Sequence, residues 1–130
     1  MNRDKALQSI RPQIPSIIDE NATSTAEQFQ NRTLRPILKL QNDLLVAMFR
    51  SYAYQRKGTF FELNDSKKLA YIQQSLQNDQ RFKNSMLGVV VGQFTLAEWE
   101  VFESDMREFR RRTTEMMIQR LQDQMEFILP

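Results

Sequence analysis

The stretch 94–127 limits what this chain can fold into more than any other feature. Thr95 stands where a helix N-cap is needed, and Glu98, three residues on, can return a hydrogen bond to the cap's own N–H. Phe94 and Trp99 flank that box at the two positions of a hydrophobic staple. Trp99, Phe102, Met106, Phe109, Thr113 and Met116 then recur at intervals of three and four, which is one stripe on one helix face. Glu98, Glu100, Glu103 and Asp105 come before Arg107, Arg110, Arg111 and Arg112, the order of charge that a helix dipole favours. The spacing predicts a long amphipathic helix over about 95–127.

A second stripe runs through Leu34, Leu38, Gln41, Leu45, Met48 and Tyr52, widened by Ile37 and Leu44. It predicts a helix over about 33–57 that ends at Gly58 and packs antiparallel to the first. Upstream, Ser24 and Glu27 form another capping box, with a pause expected around 32–36 where Thr33 recaps the chain and Pro36 fits a first turn. Asn64 or Asp65 caps a helix over 66–76, and a break at Asn78 and Asp79 precedes another over 80–91, for which Gly92 is a left-handed stop. The segment 59–63 reads as a buried connection. Residues 2–10 predict a short helix with Ala6, Leu7 and Ile10 on one side, halted by Pro12 and Pro15. Ile14, Ile17 and Ile18 are expected to lie across the bundle, and 19–25 to form a loop.

Three glycines and four prolines in 130 residues argue against a many-turned β protein. The fold class expected is therefore all-α: one domain over 1–130, two long antiparallel helices, two or three shorter ones, and a proline-containing arm over about 1–23. A helix of roughly thirty residues is about 45 Å long, whereas a compact domain of this size has a radius of gyration of about 14 Å. With Val101, Met117, Leu121, Met125 and Ile128 off the main stripe, a homodimer is the expected assembly.

The absence of both Cys and His narrows the chemistry. It rules out disulfides, Cys/His zinc sites, Ser-His-Asp or Cys-His catalysis, and the Glu-x-x-His ligands of di-iron bundles. An enzyme here would depend on carboxylates, Lys, Arg, Tyr or Ser/Thr. The start of the chain is charged, with no apolar signal core after it, and no apolar run reaches the length of a membrane span. A cytoplasmic protein without a membrane partner is expected.

Net charge is +2, from 18 Lys and Arg against 16 Asp and Glu, mixed along the chain, so nucleic acid is a disfavoured partner. Arg110, Arg111 and Arg112 are the most visible basic feature. Consecutive helical residues diverge by about 100°, and Glu103, Glu108 and Glu115 lie within pairing reach. A solvated, ion-paired face is the plainer reading, and a basic surface for nucleic acid the sharper one. The carboxylates from Glu98 to Glu108 invite a metal, but hard cations need oxygens converging from several helices, so no metal site is assigned. Arg35, Asp43, Arg50 and Tyr52 lie along the second helix, where polar residues beside an apolar stripe can line a pocket. Gly88 and Gly92 have the four-residue spacing that permits close helix approach.

Two stretches, 29–45 (FQNRTLRPILKLQNDLL) and 91–95 (VGQFT), resemble a small bacterial family of about this length whose members are sometimes labelled glyoxalase. The resemblance extends over most of the chain. No catalytic motif comes with it, and no glyoxalase site residue carries over, because that chemistry uses His ligands. The function expected is that of a non-catalytic helical binding or interaction protein that self-associates, with no cofactor and with a protein partner in view. A small-molecule site or a non-metal enzyme pocket between the long helices is the alternative, and weak nucleic-acid binding a further one.

Overall fold

The computed structural model describes residues 2–14 and 24–130, and among them every regular element is helical. The helices are α1 (Arg3–Ile10), α2 (Thr25–Phe29), a π-helical turn (Gln30–Leu34), α3 (Arg35–Gln55), α4 (Thr59–Glu62), α5 (Asp65–Asn78), α6 (Gln80–Val91), α7 (Leu96–Ser104), α8 (Met106–Asp123) and α9 (Met125–Ile128). The all-α bundle expected from the sequence is the architecture found. Ile17 and Ile18, and most of the expected loop over 19–25, fall outside the described residues.

Local capping chemistry sets most of the boundaries. Asn2, Ser24, Asn64, Asp79 and Thr95 each accept a backbone N–H three residues ahead, and at Thr95 the reciprocal bond from the cap's N–H to Glu98 completes the box. Gly58 sits at φ 67°, the left-handed conformation that ends α3. Gly92 differs from expectation. It is right-handed, with φ −60° and ψ −15°, and its N–H stays bonded to Gly88 O. Gly88 is no contact point for a neighbouring helix, since an added Cβ would meet nothing within 4 Å. The segment 59–63 is a helical turn that buries Phe60. In α1 no residue is buried, and Ile10 is 57% exposed.

The two long elements differ more from expectation. The pause around 32–36 does not occur. The chain passes from α2 to α3 through a π turn, in which the Arg35 N–H reaches five residues back to Gln30 O. Pro36 follows in the first turn of α3, lacks an N–H, and crowds the preceding carbonyl, a conflict that a widened turn relieves. At the other end, the helix expected over 95–127 is interrupted at Asp105 (φ −149°, ψ 67°). Ser104 loosens the end of α7 by donating its hydroxyl to Val101 O at 2.5 Å. The break lets Phe94, Phe102 and Phe109 converge: Phe29 meets Phe94 and Phe109 at 5.6 and 4.9 Å, and Phe94 meets Phe102 at 5.4 Å. It also shifts the buried face of α8 to Phe109, Thr113, Thr114, Met117, Ile118 and Leu121, leaving Met106 exposed.

Direction differs too. Arg112 bonds Gln30, Arg120 bonds Asn42, and Asn42 bonds Gln124, so position rises together along the two elements. The 25–55 rod and α8 are parallel. α6 takes the antiparallel place beside α3, where Gln41 bonds Val89 O and Tyr52 stacks on Phe82 at 4.0 Å. α5 lies along α8, with Gln122 bonded to Leu69 O. The core between these layers is built from Leu34, Leu45, Phe49, Ile72, Met86 and Met117, all fully buried.

Candidate binding groove between α5, α6 and α8

Where α5 and α6 meet the start of α8, three apolar residues form a floor: Leu76, Leu87 and Ile118, 0, 3 and 7% exposed. Each belongs to the inward stripe of its own helix, and they meet because the Asp79 cap turns the chain sharply between α5 and α6. Above them, Lys83, Arg107 and Arg110 surround a groove of about 330 Å³. Arg110 donates to Asn84 Oδ1 at 2.8 Å, a neutral acceptor that orients the guanidinium without cancelling its charge. Lys83 and Arg107 have no ion-pair partner among the described residues. The one carboxylate on the rim, Glu115, is already engaged by Arg111 at 2.7 Å.

The three consecutive arginines therefore part company. Arg111 is held by Glu108 and Glu115. Arg112 bridges Glu108 on its own helix to Gln30 on the π turn. Only Arg110 turns its charge to the groove without a carboxylate. Hydrogen bonds from Arg111 and Arg112, reinforced by their charges, hold the Glu108 carboxyl down at about 2. Arg111 and Arg112 thus follow the plainer reading, an ion-paired face, rather than a basic surface for nucleic acid, and the cationic rim comprises Arg110 with Lys83 and Arg107. No spacing rule links residue 83 to 107 and 110, which come together only through the α6–α8 contact.

The four residues expected to share a pocket on the second helix are not brought together. Arg35 lines a cleft of about 260 Å³ between α3 and α8 with Leu38, Met116 and Arg120. Burial lowers Arg120, the nearby Asp123 works against that, and Arg35 adds to it. Tyr52 belongs to an open groove of about 620 Å³ with Arg56, Tyr71 and Asp79, at the other end of α3. There the Tyr52 hydroxyl donates to Asp79 Oδ2 at 3.0 Å, and Arg56 pairs with the same carboxylate while lying 4.4 Å over the Tyr52 ring. The Phe82 amide, the Tyr52 hydroxyl and Arg56 together lower Asp79, whereas burial raises the Tyr52 and Tyr71 hydroxyls. Asp43 is exposed and Arg50 half-buried, and neither lines these clefts.

The most connected polar cluster was not anticipated. Glu98, already the capping-box residue, receives both arms of the Arg11 guanidinium at 2.5 and 2.9 Å and the Thr33 hydroxyl at 2.9 Å. Arg11 also donates to Gln93 O at 2.8 Å, while Arg3 donates to Phe94 O and Asp4 accepts the Leu96 N–H. Burial alone would raise the Glu98 carboxyl, but the bonds from Arg11, the Thr95 amide and Thr33 outweigh it and keep it low. This cluster fastens α1, the π turn and α7 together, and all its acceptor sites are used internally. Among the described residues no group of acidic side chains is arranged to hold a metal ion, and no helix is long and apolar enough to cross a membrane. No family model, curated protein or solved structure matches the chain.

Proposed function

We propose that this chain is a non-catalytic helical binding protein whose groove between α5, α6 and α8 holds an amphiphilic anion. The observation that carries the reading is the pairing of an apolar floor of Leu76, Leu87 and Ile118, edged by Gln77 and Thr114, with Lys83, Arg107 and Arg110, cations that no carboxylate of the described residues neutralises. An apolar group rests against the open edges of Leu87 and Ile118, above the buried Leu76, and the acid group stays at the rim, where a charge-assisted hydrogen bond forms without full loss of hydration. A volume of about 330 Å³ suits a small ligand or one anchoring side chain, not a large cofactor.

Anilinonaphthalene sulfonate and dodecanoate serve as probes. The dye should fluoresce on binding, be displaced by dodecanoate, and bind less tightly as salt rises. Arg107→Glu and Lys83→Glu should each weaken both probes by roughly tenfold, about 1.4 kcal/mol. Dye binding that neither substitution alters, or that dodecanol displaces as well as dodecanoate does, would refute the reading.

A further inference from the structure

The face of α3 turned away from the core is where charged side chains ordinarily stand, yet its centre is nearly free of them. Leu38, Leu45, Phe49 and Ala53 point inward and are buried. Roughly opposite, at about 100° per residue, run Leu40, Leu44, Ala47, Ser51 and Tyr54, spaced four, three, four and three. Leu44 is 48% and Tyr54 52% exposed, Ala47 and Ser51 are exposed, and Leu40 is half-buried. The Phe61 ring, 4.5 Å from that of Tyr54, extends the apolar surface at one end. By contrast α8 sends Arg111, Glu115 and Gln119 to solvent. A four-three repeat is the pattern of a helix that packs against another along its length.

We infer that this stripe is a self-association surface, on which α3 of one copy packs antiparallel against α3 of a second across a two-fold axis beside Ala47. The small Ala47 and Ser51 at the middle of the stripe let the axes approach to about 8–10 Å. Asp43 and Arg50 flank the stripe on one side, four residues before Ala47 and three after it. Neither has an ion-pair partner among the described residues, and Asp43 meets only the Asn42 amide. A two-fold axis perpendicular to both helices keeps that flank common to the two copies and reverses their direction. Asp43 of each copy then faces Arg50 of the other, giving two symmetry-related ion pairs. A parallel pairing, related by an axis along the helices, puts the two Asp43–Arg50 flanks on opposite sides of the seam, where neither charge meets its complement. The charges thus select both the occupant, a second copy, and its orientation. The inference does not depend on the α5–α6–α8 groove.

Light scattering of the full chain across concentration is the first test, with circular dichroism confirming that each variant folds. A dimer is expected, and Leu44→Glu, Asp43→Arg and Arg50→Asp should each raise its dissociation constant tenfold or more. The double exchange Asp43→Arg with Arg50→Asp should restore it, and a mixture of the two single variants should form a heterodimer. Because the chain contains no cysteine, single introduced thiols report the geometry cleanly. Ala47→Cys should join two copies under mild oxidation. Tyr54→Cys should not, since antiparallel helices centred on Ala47 place the two positions about 21 Å apart along the axis. A monomer at every concentration, a dimer indifferent to Leu44→Glu, or equal cross-linking through the two thiols would each overturn the inference.

Discussion

Glu98→Ala should cost this protein about 3–4 kcal/mol of stability, and the figure follows from what the carboxylate touches. The side chains of Arg11 and Glu98 are only 11 and 17% exposed. Removing the carboxylate strands the Arg11 guanidinium in that confined place, where Gln93 O at 2.8 Å remains as a neutral acceptor. Losing one member of a sheltered pair costs about 3–5 kcal/mol when no relief is available, and the remaining carbonyl and some water access put this case near 2. The Thr95 N–H and the Thr33 hydroxyl, on residues 4 and 5% exposed, lose their acceptor as well, each worth about 0.5–1 kcal/mol. Urea unfolding followed by circular dichroism measures the loss directly, and the thermal midpoint should fall by roughly 10–15 °C. Glu108→Ala is the control. It also removes a carboxylate that pairs with two arginines, but at the surface, where both regain water, so its loss should be far smaller. Equal losses in the two variants, or less than about 1 kcal/mol for Glu98→Ala, would refute the reasoning.

The lowered carboxyls make stability depend on acid. Glu98, Glu108 and Asp79 titrate lower in the folded chain than unfolded, so their contribution is complete above the ordinary carboxylate range and is lost as pH falls toward the folded values, about 2 for Glu108. The urea midpoint should be level from pH 7 to about 5.5 and then decline, and Glu108→Gln should flatten part of that decline. Tyr52 and Tyr71 are raised, which has the opposite sense: stability should fall in strongly alkaline solution, and Tyr52→Phe should reduce that fall. Gly88→Ala should stabilise by about 0.5–1 kcal/mol in thermal unfolding, because the position is helical, exposed and open to a Cβ. Gly58→Ala should destabilise by about 1 kcal/mol, because φ 67° strains any side chain there.

The groove was only partly legible before folding. The basic run points to Arg110. Nothing in the sequence, however, separates Arg110, which bonds Asn84, from Arg111 and Arg112, which bond carboxylates. The split depends on where α6 lies. Lys83 and Arg107 are 24 positions apart by their numbers, and no helical periodicity relates them. The Arg11–Glu98–Thr33 cluster was hidden for the same reason, since its bonds span 87 and 65 positions.

By itself the sequence determined the helical class, the caps at Ser24 and Thr95, a cap at one of Asn64 and Asp65, the break at Asn78 and Asp79, and the stop at Gly58. These depend on hydrogen bonds and backbone angles within about four residues, so a local pattern contains all that decides them. Only the tertiary structure decided the rest: the parallel course of the 25–55 rod and α8, the interruption at Asp105, and the change of buried face that follows it. An uninterrupted three-four stripe is compatible with one straight helix or two, and with a neighbour running either way. The choice between them is made by non-local packing, here the convergence of Phe29, Phe94, Phe102 and Phe109 into one aromatic cluster, and no single segment encodes it.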